Sequence, residues 1–426
     1  MRFGIKFPRI FYGWWIVLAC FMIALYTAGV IGYGFTAVFE PIVSEFGWSY
    51  TQVSLASSLR GLEVGLFAPL VGLLLDRFGA KPVIFVGGII TGFSLMLLAR
   101  TNSLVMFYVS FALVSLGMSA CSATALLVAV SYWFRRRIGT AMGIMVCGFG
   151  CSGFIVPTVV WMVDTLGWRT ALTYFGVGMF LIILPLSLAV RGRPEKYGLL
   201  PDGDVSIPAS SGSNVSPAKT EGKNISARVI FTSRTFWHIA LAFSAQHMIV
   251  GAVITHIMPY LGSVGIDRAL AGVVTTFVPL ASIVGRFGFG WLSDRMKNKR
   301  LAVAGFALMG LGMFFLSYAS PGAMWVLVLF LFFFGIGFGG TNTMRAILPR
   351  EYFGMKNFGT ILGFLTGVGT LGSMSGAPLA RFCYDKFGSY QPIWLIFIGV
   401  AAFSLISILL TPPFTAKGVK SPEKKA

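Results

Sequence analysis

The stretch Gly72-Leu73-Leu74-Leu75-Asp76-Arg77-Phe78-Gly79-Ala80-Lys81 occurs twice in this chain. Its second copy, Gly290-Trp291-Leu292-Ser293-Asp294-Arg295-Met296-Lys297-Asn298-Lys299, stands 218 positions on. Tyr132-Trp133-Phe134 with Gly139-Thr140-Ala141-Met142-Gly143 recurs as Tyr352-Phe353-Gly354 with Gly359-Thr360-Ile361-Leu362-Gly363, 220 positions on. Asp164-Thr165-Leu166-Gly167 recurs as Asp385-Lys386-Phe387-Gly388, 221 on. Three ordered matches at a nearly constant offset mark an internal duplication and predict two halves of like architecture.

The residues between these matches say what the halves are made of. Of 426 residues, 56% are hydrophobic and only 11% charged, with mean hydropathy +0.82. Soluble domains carry about 25% charged residues, so the composition indicates an integral membrane protein. A spanning helix takes roughly 20 apolar residues. Twelve such runs lie near 13–38, 51–75, 82–99, 104–131, 140–163, 170–190, 236–260, 269–292, 301–319, 324–347, 359–382 and 391–411. A polar stretch rich in Ser, Pro, Lys, Asp and Gly divides them six and six. The expected fold is all-α: an N-terminal six-helix bundle over 1–190, a cytoplasmic linker loop over 191–234, and a C-terminal six-helix bundle over 235–426 with a short cytoplasmic tail.

A formal charge of +19 would suggest nucleic acid in a soluble protein. Here topology accounts for it. With both termini cytoplasmic, and Arg345 and Arg381 at the span ends counted with the loops they adjoin, 26 Lys and Arg fall in cytoplasmic segments, five on the opposite side, and two, Arg60 and Arg286, deep within spans. That bias orients a multi-pass protein and calls for no nucleic-acid partner. The five cysteines, Cys20, Cys121, Cys147, Cys151 and Cys383, form no CxxC pair and read as small packing residues, with no metal site. The first apolar run, from near Tyr12, is too long for a signal-peptide core and is read as a span. Gly148-Phe149-Gly150-Cys151-Ser152-Gly153 fits G-x-G-x-x-G but follows no strand. Its glycines read as a close helix contact, and so do Gly139/Gly143 and Gly359/Gly363. HExxH, GxSxG and P-loop motifs are lacking, which argues against an enzyme, a cofactor and ATP drive.

Three charges fall inside spans: Arg60, Glu63 and Arg286. Arg286 lies eight residues before Asp294, so about 12 Å above the cytoplasmic edge, near the midplane of a ~30 Å core. Its own helix supplies no acid, since Ser282 is one turn back and Gly290 one turn on. A guanidinium at that depth needs an anion, and a carboxylate fits it bidentately. The alternative is a structural pairing with Glu63 or with backbone carbonyls. Arg60 and Glu63, three residues apart, share a helix face. They read either as a mutually neutralised pair or as a proton site at Glu63 that Arg60 works against. Thr341, Asn342 and Thr343 on the tenth helix, and Ser119, Ser122 and Thr124 on the fourth, are placed to line a cavity or to bond helix backbones.

Two six-helix halves, a long central loop and G-x-L-x-D-R-x-G-x-K after the second helix resemble the major facilitator superfamily. The second copy departs from the pattern after Arg295. The resemblance implies a gating cluster, made here of Gly72, Asp76, Arg77, Lys81, Asp294 and Arg295, that holds an outward-facing state. A finer set occurs in order: "YGWWIVL", "WFRRRIGTAMGI", "GWRTAL", "RGRPEKYGLLPDG", "THIMPYLGSVGI" and "GRFGFGWLSDR". It is similar to bacterial monocarboxylate transporters and oxalate/formate antiporters. This implies a secondary transporter in a bacterial inner membrane, monomeric, moving a small organic anion such as lactate or pyruvate with a proton. An oxalate/formate-type exchanger and a drug exporter of the same fold are the alternatives; a central arginine repels a cationic drug.

The same resemblance places Arg286 at a helix-8 arginine that binds the substrate carboxylate. It places Tyr33 at a helix-1 lysine, and Ser282 at an aspartate tied to proton coupling. His256, in H-x-x-P, is implied near the site as ligand or proton-responsive group. The expected substrate set is therefore Arg286, Tyr33, His256, Ser282, Asn342 and Ser122, and the proton-coupling set Glu63, Arg60 and His256.

Overall fold

A computed structural model describes residues 11–203 and 227–414, without the side chains of 50, 51 and 54–64. The described residues form helices and no strands. The long helices are α1 (Tyr12–Phe46), α2 (Tyr50–Phe78), α3 (Ala80–Ala99), α4 (Leu104–Ser131), α5 (Ile138–Leu166), α6 (Trp168–Ala189), α7 (Arg234–Ser263), α8 (Arg268–Ser293), α9 (Asn298–Ser317), α10 (Met324–Phe353), α11 (Phe358–Phe387) and α12 (Gln391–Leu410). Among the described residues, eleven of these are long and apolar enough to cross a membrane. The remaining one, α2, has 29 residues and is about 44 Å long at 1.5 Å per residue. Part of it, 54–64, falls among the residues whose side chains are not described.

Four helices depart from regular α geometry: α1, α4, α5, which is 3-10 at Ser152–Ile155, and α6, which is π-helical at Met179–Ile183. Within α1, Ala28–Tyr33 is π-helical and Gly34–Val38 is 3-10. The chain leaves α geometry at Cys121–Ser122, which divides α4 into Leu104–Ala120 and Ala123–Ser131. The sequence placed the end of α10 near 347, before Pro349. The helix instead runs through that proline and stops at Gly354, whose φ of +77° a side-chain-bearing residue rarely adopts. Six residues are added to α10 at its basic end.

The two halves meet along two seams, α2 against α11 and α5 against α8. Small residues bring the backbones together, as the small-xxx-small spacing predicts. A side chain on Gly72 would collide with the Gly359 carbonyl, and one on Gly290 with the Gly139 carbonyl. These are the repeated motif positions, so the duplication has placed the same contact at both seams. Farther along α5, Gly148 of the G-x-G-x-x-G stretch lies against the Phe21 carbonyl of α1, which is helix packing and not a phosphate loop.

The family-like stretches tie down the ends of the first six helices. The Tyr12 hydroxyl donates to the Ala189 carbonyl at 2.9 Å, and the Trp133 indole N–H to the Gly192 carbonyl at 2.8 Å. Asp202 accepts from the backbone N–H groups of Arg135 (3.0 Å) and Arg136 (2.8 Å). The start of the 191–234 stretch is therefore held against the α4–α5 turn; its middle, 204–226, lies outside the described residues. At the other face, Trp168 and Arg169 of "GWRTAL" both reach Glu45, each at 2.7 Å.

Candidate functional site

At the basic face, each motif aspartate reaches across to the opposite half. Asp294, just past α8, accepts from the Gly139 N–H (2.7 Å), the Thr140 N–H (2.9 Å) and the Thr140 hydroxyl (2.6 Å). Asp76, at the end of α2, accepts from the Gly359 N–H (2.9 Å), the Thr360 N–H (2.7 Å) and the Thr360 hydroxyl (2.6 Å). Gly139 and Gly359 open α5 and α11, so each carboxylate sits on a helix N-terminus, where free N–H groups and the helix dipole favour an anion. The motif arginines act locally. Arg295 donates to the Trp291 carbonyl at 3.0 Å and covers the Trp291 ring at 3.8 Å, and Arg77 lies 5.2 Å from the Phe78 ring. Lys81 is partly buried in the first turn of α3. Arg350 adds a third cross-half tie, donating to the Ser131 and Phe134 carbonyls at 3.0 and 2.8 Å.

Arg286 lies within the α5–α8 seam and is only 4% exposed. Its Nη1 donates to the Val146 carbonyl of α5 at 2.8 Å, and its Nε is buried with no hydrogen-bond partner. The Phe338 ring centroid is 5.7 Å from its Cζ. Tyr33, Cys147 and Cys151 are close enough to interact with it electrostatically. Among the described residues no carboxylate reaches it; Arg169–Glu45 and Arg381–Asp385 are ion pairs elsewhere in the molecule. A buried guanidinium with an unsatisfied donor is poised to take an acceptor.

The other expected residues divide between this seam and elsewhere. Tyr33, 43% exposed, belongs to the Arg286 neighbourhood. Ser282 is fully buried, bonds back to the Pro279 carbonyl at 2.6 Å and packs on Gly339 of α10. Asn342 donates to the Phe338 carbonyl at 3.1 Å, one turn back on its own helix. Ser122 is partly buried at the α4 break, and its neighbour Thr124 meets Thr366 of α11 at 3.2 Å across the halves. His256 lies near the opposite end of the second half, its Nε2 2.9 Å from the Ala377 carbonyl and its Nδ1 3.3 Å from the Tyr390 hydroxyl. The side chains of Arg60 and Glu63 lie outside those described.

Sequence reading missed two residues. Arg345 was counted with the cytoplasmic loops, yet it is a partly buried residue of α10. Its Nη1 is 3.0 Å from Nε2 of His247 on α7, and it is close enough to Arg286 for their charges to interact. The available signal was Gly354. Taking that residue as the stop of α10 puts Arg345 eight residues inside the helix end at Phe353, about 12 Å. Arg286 stands at the same height above Asp294.

A twelve-helix protein whose halves close over a buried cation along two like seams is a membrane transporter of two-bundle construction. The chain belongs to the Major Facilitator Superfamily, whose family model matches residues 14–267 and 247–426. It is 26% identical to rat monocarboxylate transporter 12, over 96% of this chain and 87% of that protein. It is 27% identical to bovine monocarboxylate transporter 13, over 94% of this chain and 89% of that one. Among solved structures, the proton:xylose symporter XylE superposes with TM-score 0.70 at 13% identity, covering 95% of this chain and 97% of XylE. The human organic anion transporter MFSD10 superposes with TM-score 0.68 at 13% identity, covering 95% and 100%.

Proposed function

We propose that this transporter moves a small organic anion of the monocarboxylate class, such as lactate or pyruvate, in symport with a proton. The observation that carries this is Arg286: buried between the halves, bonded to one backbone carbonyl, with its Nε free of any acceptor. A carboxylate supplies the missing acceptor and the missing charge. The relatives named monocarboxylate transporters support the substrate class. The basic face is the cytoplasmic one by the positive-inside rule, which puts both termini inside a bacterial inner membrane. Residues 1–190 and 235–426 rock as two units about the seams, and the latched basic face belongs to the state open to the other side. The monomer is the working unit.

Anion exchange without protons is the second reading. It is favoured by Ser282, which offers no titratable group and spends its hydroxyl on the Pro279 carbonyl of its own helix. Uptake of labelled lactate, pyruvate, acetate, formate and oxalate into proteoliposomes, with and without a pH gradient, separates the two. Arg286→Ala protein that is folded and still takes up the acid at the normal rate would rule out the site.

A further inference from the structure

His247 and Arg345 join α7 to α10 near the Arg286 seam, and the geometry assigns both ring nitrogens of the histidine. Nδ1 is 2.7 Å from the Phe243 carbonyl, which can only accept, so Nδ1 carries a proton. Nε2 is 3.0 Å from Nη1 of Arg345, which can only donate, so Nε2 offers its lone pair. This is the neutral imidazole. A second proton would have to occupy that lone pair, and it would place two donors and two positive charges face to face. Protonation of His247 and its bond to Arg345 exclude each other.

We infer that His247 is a proton-binding residue that gates a second anion-binding arm: neutral His247 holds Arg345 back, and protonated His247 releases the Arg345 guanidinium to the anion held by Arg286. This rests on the carboxylate reading of Arg286. The proton enters on Nε2, no covalent bond changes, and the anion fills the acceptor place that His247 gave up. Linkage then runs both ways. An anion between the two arginines favours the proton on His247, and the proton favours the anion. One proton moves with one carboxylate.

The charged groups on the packed helices are few. From α10 comes Arg345, with Arg350 and Glu351 five and six positions farther on, and from α8 comes Arg286, acting on Arg345, with Arg268 eighteen positions before it. On α11 the backbone of Gly369 lies against the ring, and that helix's charged residues, Arg381, Asp385 and Lys386, begin twelve positions farther on. No charged residue occurs in α12, and on α7 itself His238 and His256 each stand nine residues away, with Arg234 farther still. The side chains of Arg60 and Glu63 are not described.

The test measures pyruvate affinity and gradient-driven pyruvate accumulation in proteoliposomes at pH 5.5 and 7.5. Wild-type affinity should rise toward pH 5.5 by a factor in the range of about 5 to 150 expected for coupled sites. His247→Gln keeps an acceptor for Arg345 but cannot titrate. Its affinity should be low and the same at both pH values, with exchange still measurable and accumulation against the gradient lost. Arg345→Gln should show a large affinity deficit at pH 5.5 and a small one at pH 7.5, where the arginine is already engaged. Affinity of His247→Gln that still follows pH overturns the inference. So does folded His247→Gln protein that binds pyruvate at neither pH, because a held Arg345 leaves Arg286 in place. Wild-type protein that moves none of the five acids overturns the carboxylate reading beneath it instead.

Discussion

Asp294 and Thr140 belong to opposite halves of the chain, and the carboxylate takes both the N–H and the hydroxyl of the threonine, at 2.9 and 2.6 Å. Asp76 and Thr360 repeat the arrangement at the other seam. The duplication therefore built a closure with two equivalent fastenings at the same face.

Loss of one fastening should shift the balance between closed and open basic faces. Asp294→Asn removes the charge and one acceptor. Hydrogen bonds to charged groups contribute about 1.5–3 kcal/mol each, so a tenfold or larger shift is expected, and Asp76→Asn with Asp294→Asn should exceed either alone. Spin-label distances across the α2–α11 seam read this directly. Distance distributions identical to wild type in the double variant would show that the aspartates do not hold the face shut.

Bulk at the seam should act more strongly than loss of charge. Gly290→Val puts a branched side chain against the Gly139 carbonyl and the Gly143 backbone, where no flexible side chain can yield. The expected result is a protein unable to close its basic face, with substrate uptake reduced to background. Cysteine labelling of Cys147 from the basic side should speed up. Near-normal uptake would mean the α5–α8 seam parts less than supposed.

Arg286→Lys separates charge from geometry. Lysine keeps the charge but loses the planar fork. Truncating one member of a buried charged pair costs about 2–5 kcal/mol, and the milder lysine change should still raise KM for pyruvate at least about tenfold. A KM within twofold of wild type would indicate that a point charge suffices and that bidentate recognition is wrong.

At the opposite face, Arg169 ties Glu45 to the end of α3. It pairs with Glu45 at 2.7 Å and donates to the Ala99 and Thr101 carbonyls at 2.9 and 3.0 Å. The ion pair is more than a third exposed on both sides and contributes little by itself, about 0–1 kcal/mol. Arg169→Ala should therefore lower the melting temperature more than Glu45→Gln, because it also strips two carbonyls of their donor. Equal losses would assign the whole effect to the ion pair.

Much of this architecture was legible in the chain because its signals are local or repeated. The apolar runs gave the helices, and the duplicated Asp76 and Asp294 gave two matching points at one face. The Asp294 offset also fixed the height of Arg286 without any coordinates. Partners across the seams were not legible. Nothing in the residues around Val146 says that its carbonyl will face Arg286, since that contact depends on how two distant glycine-rich faces pack. Arg345 was lost for a different reason. It stands two residues before the expected end of α10 near 347 and was counted with the basic loop that follows. His247 stood in an apolar stretch with no visible companion, because its contact with Arg345 depends on how α7 and α10 pack. His256, by contrast, looked close to the site in sequence, yet it lies with Ala377, eight residues beyond Gly369 on α11, about 12 Å away along that helix.

Arg286 and Asp294 ride on one helix, and an unbroken run of α8 joins them to within a residue. Parting the Asp294 fastening must then also draw Arg286 from the Val146 carbonyl. An empty carrier that swings open strands a buried guanidinium without an acceptor, whereas a loaded one keeps its carboxylate. On the proposed reading of Arg286 as the cargo's anchor, reorientation of the empty carrier is thereby made the slower leg of the cycle. Single-molecule distances across the seam should show far fewer openings in unloaded protein than in pyruvate-loaded protein, and equal opening rates would sever the link.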